Sequence, residues 1–238
     1  MHPVTAVLFD FAGTLLVPEP REQWVAAVCP ELAADAVADL ALRLEGAGRS
    51  GGPEPDQISP WLEDDYRQRD LSSARHRELY EGLLAPLVGA DLARRLYERG
   101  IAAQGWTPYP DAEPVLRTLQ ERGVPVAVVS NVGFDLPAVF AGHGLDALVS
   151  AFVLSTDVGV MKPAAAMFAA ACKALGVGPA DSLMVGDNFR ADGGAVELGM
   201  RTLLLPYTGP GVLHGLDAVL RLVGSSARSG SPSARTSR

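Results

Sequence analysis

Cysteine is scarce in this chain, and that scarcity limits the kinds of site the chain can build. Only Cys29 and Cys172 occur among 238 residues, and neither lies in a CxxC pattern or at a Cys/His spacing typical of metal sites. The sequence therefore predicts neither a disulfide framework nor a zinc centre. A reducing compartment such as the cytoplasm fits this cysteine content.

Basic residues and long apolar runs are also in short supply. Lys and Arg number 20 against 28 Asp and Glu, which gives a net charge of −8, so no basic surface is expected that could neutralise the phosphates of nucleic acid. The longest apolar runs, such as Val4–Phe9 and Val124–Val129, are far shorter than the roughly 18 residues that a transmembrane helix needs. The N-terminal segment also lacks the pattern of a signal peptide. We expect a cytoplasmic protein with no nucleic-acid or membrane partner.

The chain does contain an alternation of short apolar runs and helical stretches. The runs that predict buried strands are Val4–Phe9, Val124–Val129, Ala151–Leu154, Ser182–Val185 and Thr202–Leu205. The helical stretches between them are Asp111–Arg122, Phe134–His143, Ala164–Leu175 and Arg190–Leu198, each followed by a glycine. This alternation predicts an α/β core, a three-layer, doubly wound (Rossmann-like) parallel sheet with right-handed crossovers.

The stretch from Val17 to Pro108 interrupts this alternation. It is rich in Ala, Leu, Arg and Glu and contains no convincing strand. Its helical periodicity covers Trp24–Leu44, Ser59–Arg69, Ser73–Leu87 and Ala90–Gln104, with a Gly/Pro-rich loop at Gly46–Pro55. We therefore expect an all-helical insertion at 17–108 within a core formed by 1–16 and 109–223, followed by a disordered Ser/Arg-rich tail at 224–238.

Polar side chains follow the predicted strands. Asp10 ends the first strand, Ser130 and Asn131 the second, and Asp187 comes after Ser182–Val185. Lys162, one of two lysines in the chain, opens the helix after another strand. Because the carboxyl ends of parallel strands share one crevice, these groups are expected to converge. Carboxylates, a lysine and hydroxyl or amide donors suit a divalent cation and a phosphoryl group.

Four segments with these residues resemble the four ordered motifs of the haloacid dehalogenase superfamily. They are Asp10-Phe11-Ala12-Gly13-Thr14-Leu15, Val129-Ser130-Asn131, Lys162-Pro163 and Gly186-Asp187-Asn188-Phe189-Arg190-Ala191-Asp192. Any one motif is weak, but four in this order, at strand ends or helix starts, are specific. The insertion at 17–108 resembles the mobile helical cap that members place after the first strand.

The resemblance implies a role for each of these residues. Asp10 would be the nucleophile that forms an aspartyl-phosphate, and Lys162 would neutralise both Asp10 and the phosphoryl group. Ser130 and the backbone of Asn131 would bind the phosphoryl oxygens, and Thr14 would shape the phosphate-binding loop. The implied substrate is a small phosphorylated molecule, and the implied assembly is a monomer or homodimer.

The same resemblance implies a magnesium site. Its ligands would be the carboxylates of Asp10, Asp187 and Asp192 and the backbone carbonyl of Ala12. Mg²⁺ takes octahedral oxygen ligation from one or two carboxylates, waters and phosphate oxygens, and this set of residues supplies such ligands.

Ala12 departs from the phosphatase form of the first motif, which has a second Asp at this position. In the family that Asp protonates the leaving group and later activates water, an effect typically worth about 10²–10⁴ in rate. Candidate replacements in the insertion are His76, Glu63, Asp64 and Asp65, although a histidine between two arginines is usually a surface residue and an acidic run is usually solvated. The aromatic residues of the insertion are expected mostly in its own core.

Three other functions stay open at this point. Phosphonoacetaldehyde hydrolases resemble this chain in having Ala at this position, but they need a cap lysine, and 17–109 contains none. Dehalogenases use the same Asp nucleophile without metal, which leaves Asp187 and Asp192 unexplained. A non-catalytic phosphate-binding or regulatory protein would account for Ala12 but not for the acids gathered around Lys162.

Overall fold

A computed structural model describes residues 3–52, 58 and 60–223, and the statements below concern these residues. The tail predicted at 224–238, part of the loop predicted over 46–55 and the helix start predicted at Ser59 lie outside them. The strands are β1 (Ala6–Phe9), β2 (Leu16–Pro18), β3 (Trp106–Pro108), β4 (Val126–Ser130), β5 (Ala151–Leu154), β6 (Ser182–Gly186) and β7 (Arg201–Leu204).

Five of these strands form a parallel sheet in the order β5-β4-β1-β6-β7, so the first strand of the chain lies at the centre. Residues alternate between the two faces: Val7 and Phe9 of β1 enter one apolar cluster, whereas Leu8 enters another. Because both faces are buried, the strands are nearly uniformly apolar, as in other doubly wound sheets. The predicted α/β fold class is confirmed.

Helices cover both faces of the sheet. The α-helices are α1 (Arg21–Val28), α2 (Ala34–Arg43), α3 (Glu63–Gln68), α4 (Ser73–Val88), α5 (Ala90–Ile101), α6 (Ala112–Glu121), α7 (Leu136–Gly142), α8 (Ser155–Val158), α9 (Ala165–Leu175) and α10 (Asp217–Leu222). Buried side chains of α6, α7 and α10 pack in the cluster that contains Phe9, and those of α9 pack in the cluster that contains Leu8. The sheet is therefore the middle of three layers.

The residues between β2 and β3, 19–105, are called the helical insertion below. It contains α1–α5 and has an apolar cluster of its own, in which Trp24, Leu40 and Leu96 pack together. The antiparallel strands β2 and β3 pair at the two points where the chain leaves and re-enters the sheet domain. The sequence pattern misses this ribbon because each strand has only three residues and contains a proline.

Two predicted helices differ in the structure. The stretch Trp24–Leu44 forms two helices, because Pro30 lacks an N–H and cannot continue α1. The stretch Arg190–Leu198 forms a 3-10 helix over Asp192–Leu198. Gly193 and Gly194 lower its α-helical propensity, and a Cβ at Gly194 would meet the backbone of Pro163, so this segment is shaped by close packing.

Among the residues that the structure describes, no helix combines the length and apolar character needed to span a bilayer.

Candidate active site at the strand ends

Three neighbouring strands, β4, β1 and β6, bring their carboxyl ends together in the middle of the sheet. Asp10 follows β1, and its N–H donates to the carbonyl of Val185 at 2.8 Å, so the pairing of β1 with β6 continues as far as Asp10. Ser130 is the last residue of β4, and Asp187 follows β6. The structure thus brings together the polar residues that the sequence predicts to converge.

Lys162 lies between two of the acids. Its Nζ is 2.6 Å from Oδ1 of Asp10 and 2.7 Å from Oδ1 of Asp192, and its side chain is 2% exposed. Asn131 holds the loop in place, because its Oδ1 accepts from the N–H of Lys162 at 2.7 Å and its Nδ2 donates to the carbonyl of Lys162 at 3.0 Å. The prediction that Lys162 opens a helix is wrong: α9 begins at Ala165, and Lys162 lies in the preceding loop.

Asp10, Asp187 and Asp192 each place a carboxylate oxygen within 4.8 Å of the others. Glycines make room for two of them, since a Cβ at Gly13 would collide with Asp187 and a Cβ at Gly186 would collide with Asp192. Gly13 has φ +82°, a left-handed conformation that glycine adopts without strain. The N–H of Asn188 donates to Oδ2 of Asp192 at 3.0 Å and orients that carboxylate.

The site holds more negative than positive charge. When all three carboxylates are ionised, one ammonium balances only one of them, which leaves two negative charges in a largely buried space. Burial raises the pKa of Asp10 to about 7, and Asp192 and Asp187 add to this rise while Lys162 opposes it. Burial, followed by Asp192, raises the pKa of Asp187 to about 6. Burial alone would lower the pKa of Lys162, but the two carboxylates reverse this and raise it.

These residues fit a divalent metal ion with hard oxygen ligands. Three carboxylates within 4.8 Å supply the ligand type that Mg²⁺ prefers, and the ion would balance the two excess charges. Thr14, by contrast, is fully buried and does not line the cavity above these residues, and its Oγ1 has no hydrogen-bond partner among the described residues.

A cavity of about 230 Å³ opens above these residues. Its floor comes from the sheet domain and includes Asp10, Ala12, Ser130, Asn131, Lys162 and Asp187. Its roof comes from the helical insertion and includes Arg49, Tyr66, Arg69, Asp70 and Tyr80, and Trp106 of β3 completes the wall. A space of this size suits a small metabolite.

The acidic residues of the insertion that the sequence suggests as proton donors, Glu63, Asp64 and Asp65, lie away from this cavity. The Glu63 and Asp64 side chains are 50% and 89% exposed, and with Asp65 they are absent from the cavity lining, in keeping with a solvated face. The prediction that His76 lies at the surface is wrong, because the residue is fully buried. Its Nδ1 lies 3.0 Å from the hydroxyl of Tyr97, and its Nε2 lies 3.2 Å from Oγ of Ser50.

Sequence patterns miss three residues of the roof, Arg49, Arg69 and Asp70. Asp70 lies in a 3-10 helix over Arg69–Leu71 and is 5% exposed. Arg49 lies in the glycine-rich segment after α2, where its guanidinium is 5.3 Å from the ring centroid of Trp24 and donates to the carbonyl of Glu19. An arginine within a glycine-rich segment is a weak signal for Arg49, whereas nothing in the local sequence distinguishes Arg69 or Asp70.

Known proteins resemble this chain over most of its length. The sequence model of the haloacid dehalogenase-like hydrolase family matches residues 4–197. A ribulose-1,5-bisphosphate 5-phosphatase from Halopiger xanaduensis is 30% identical over 84% of each chain. A glyceraldehyde 3-phosphate phosphatase from Methanopyrus kandleri is 28% identical over 84% of this chain and 83% of its own. A solved dehalogenase structure with an intermediate complex has a TM-score of 0.67 at 22% identity, over 94% of this chain and 98% of that one.

Proposed function

This chain belongs to the haloacid dehalogenase-like hydrolase family, and from that premise we propose that it is a magnesium-dependent phosphatase acting on a small phosphorylated metabolite through an aspartyl-phosphate. The observation that carries the proposal is the group of three carboxylates, two of which contact the buried Lys162. The phosphatase names of the relatives support it, and their different substrates leave the metabolite open.

In the proposed mechanism, a carboxylate oxygen of Asp10 attacks the phosphorus atom in line with the leaving group. Lys162 holds the Asp10 carboxylate in place and attracts the phosphoryl oxygens, Ser130 and the backbone of Asn131 donate hydrogen bonds to them, and Thr14 shapes the phosphate-binding loop. Asp10, Asp187, Asp192 and the carbonyl of Ala12 would hold Mg²⁺, which when bound neutralises charge that develops on the phosphoryl group. Water then releases phosphate from Asp10.

The helical insertion is proposed to act as a cap. The division into a core of 1–16 and 109–223 and a cap of 17–108 rests on the β2–β3 ribbon and on the separate apolar cluster of the insertion. Arg49, Tyr66 and Tyr80 line the roof of the cavity, where they would select the substrate and exclude water. A small phosphorylated substrate in the cytoplasm and a monomeric or homodimeric assembly complete the proposal.

The experiment that tests this function is phosphate release from a panel of phosphate esters and acyl phosphates. Wild-type protein is compared with Asp10→Asn and with Asp39→Asn, a change on an exposed face of α2, each in Mg²⁺ and in chelator. We expect release that needs Mg²⁺, falls by at least about 10³ in Asp10→Asn because the nucleophile is lost, and is unchanged in Asp39→Asn.

Each of the other outcomes of this assay would indicate a different function or mechanism. Halide release from haloacids in chelator would replace the phosphatase with a dehalogenase. Phosphate or phosphonate binding without turnover would favour the non-catalytic relative that Ala12 leaves open. Phosphate release that is equal in Asp10→Asn and wild type would contradict the proposed nucleophile.

A further inference from the structure

The proposed reaction needs a proton donor that the first motif lacks. Position 12 carries the methyl group of Ala12, which lines the cavity but cannot exchange protons. The leaving oxygen requires a proton unless the leaving group is acidic enough to depart as an anion. The second step requires a base that takes a proton from water. The inference below rests on the proposed function and asks which group does this work.

Among the described residues that line the cavity, Asp70 is the one carboxylate that comes from the insertion. Asp10 and Asp187 line the same space from the sheet domain, where they face Lys162 and the proposed metal ion. The nucleophile Asp10 lies on the floor of the cavity, and Asp70 lies in its roof. In an in-line attack the leaving group departs on the side away from the nucleophile, and that is the side on which Asp70 lies. Asp70 is 5% exposed, so its carboxyl group is shielded from bulk water.

The backbone of Asp70 is tied to the sheet domain beside the phosphate-binding segment. The hydroxyl of Ser155, which is fully buried, donates to the carbonyl of Asp70 and accepts from the N–H of Val132 at 3.0 Å. Val132 follows directly after Ser130 and Asn131. A single hydroxyl therefore sets the position of Asp70 relative to residues that would bind the phosphoryl group.

His76 and Tyr80 are poorer proton donors than Asp70, for different reasons. His76 does not line the cavity, and burial, with Arg69 adding to the effect, lowers its pKa to about 3, so near pH 7 it lacks the imidazolium proton that a general acid donates. Burial raises the pKa of the Tyr80 hydroxyl, which makes it a weaker acid. Tyr66 also lines the cavity, and the experiment below includes it.

We infer that the carboxyl group of Asp70 is the general acid and base of this enzyme, supplied by the insertion in place of the side chain missing at Ala12. In the first step Asp10 bonds to phosphorus, the bond from phosphorus to the leaving oxygen breaks, and the Asp70 proton passes to that oxygen. In the second step the Asp70 carboxylate takes a proton from water, the water oxygen bonds to phosphorus, and the bond from phosphorus to Asp10 breaks. Both carboxyl groups return to their starting states.

The surroundings of Asp70 suit proton exchange near neutral pH. Burial raises the pKa of Asp70 to about 6, while Arg69 and Lys162 oppose the rise. Nε of Arg69 lies 3.4 Å from Oδ2 of Asp70, and Nε2 of His76 lies 3.9 Å from Oδ1. The hydroxyl of Tyr80, on α4, is the other titratable group that interacts with this carboxyl. A group with this pKa can both give and take a proton close to pH 7.

The test uses two aryl phosphates of similar shape in Mg²⁺. The p-nitrophenolate of p-nitrophenyl phosphate leaves without a proton, whereas the phenolate of phenyl phosphate is much more basic. We expect Asp70→Asn to lower kcat/KM about 100-fold for phenyl phosphate and less than about tenfold for p-nitrophenyl phosphate. Because the base for water is also lost, Asp70→Asn should release p-nitrophenol in a pre-steady-state burst before slow turnover.

Variants separate this role from a structural one. Asp39→Asn should match wild type, and Ala12→Asp added to Asp70→Asn should restore phenyl phosphate turnover at least tenfold. Equal losses on both substrates without a burst would overturn the inference, as would Tyr66→Phe showing the substrate dependence in place of Asp70→Asn. Wild-type protein that releases no phosphate would overturn the proposed function and this inference with it, whereas Asp70→Asn equal to wild type would overturn the inference alone.

Discussion

At the scale of single residues, the unusual feature is charge held out of water. Asp10, Asp192 and Lys162 are buried together at the strand ends, and Asp70 is buried in the roof of the cavity. Buried carboxylates cost free energy unless cations or hydrogen bonds compensate them. The three acids of this site exceed its one lysine, so a bound cation would reduce the repulsion among their carboxylates.

Asp70→Asn should stabilise the protein, and the gain should depend on pH. The pKa of Asp70 is about 6 in the folded state and about 3.9 in the unfolded chain, so the folded state binds the proton more tightly and wild-type stability falls as pH rises from about 4 to 6. The Asn variant lacks this loss. We expect its advantage in the free energy of unfolding to grow over that range towards a ceiling of about 3 kcal/mol.

Urea unfolding of wild type and Asp70→Asn at several pH values between 4 and 8 measures this difference. Asp39→Asn, whose side chain is exposed, should show no trend of similar size. A gain that shrinks as pH rises would mean that Arg69 and Lys162 stabilise the Asp70 anion by more than burial destabilises it.

At the scale of secondary-structure elements, the β2–β3 ribbon is where the insertion meets the sheet domain. Glu19 follows β2, and its oxygens lie 2.7 Å from Nε and 2.7 Å from Nη2 of Arg99 on α5. The carbonyl of Glu19 also accepts from Arg49, which lines the cavity roof. One residue therefore connects the ribbon, α5 and the roof of the proposed active site.

Glu19→Gln should destabilise the fold by about 1–3 kcal/mol, because the Glu19 side chain is 6% exposed and its loss leaves Arg99 without its bidentate partner. The Arg99 side chain is 27% exposed, and solvent screening keeps the cost below that of a fully buried pair. Glu113→Gln is the matched control, since Glu113 and Arg117 form a pair on α6 in which both side chains are more than half exposed. Its cost should stay within about 0.5 kcal/mol in the same urea experiment.

Equal costs for the two variants would show that the Glu19 pair gains nothing from its burial.

Elements also differ in how well the sequence predicts them. The strands of the sheet follow from apolar runs, whereas β2 and β3 do not, because three-residue strands that contain prolines form only where the chain is already brought together by the fold.

At the scale of the whole molecule, metal binding is expected to be visible as stability. Because Asp10, Asp187 and Asp192 come from two separate parts of the chain, a cation that binds all three binds the folded state in preference to the unfolded one. At a Mg²⁺ concentration 100-fold above Kd, the linkage contributes about 2.7 kcal/mol. For a chain of this length, that raises Tm by roughly 5–10 °C.

Thermal unfolding of wild type, Asp187→Asn and Asp157→Asn with and without Mg²⁺ checks this prediction without any substrate. Asp157 is exposed on α8, so its variant should keep the shift, and Asp187→Asn should lose most of it. A shift that survives in Asp187→Asn would place the metal ion elsewhere in the molecule.

The sequence by itself determined the fold class and most of the cavity floor. Ser130 ends a strand and Asp10, Asn131 and Asp187 directly follow strands, and strand ends in a parallel sheet converge whatever the rest of the chain does. The roof was decided by the tertiary structure alone. Asp70 and Arg49 reach the cavity only because the insertion packs over the sheet domain, and His76 is buried for the same reason. Such contacts depend on residues distant in sequence, so no local pattern encodes them.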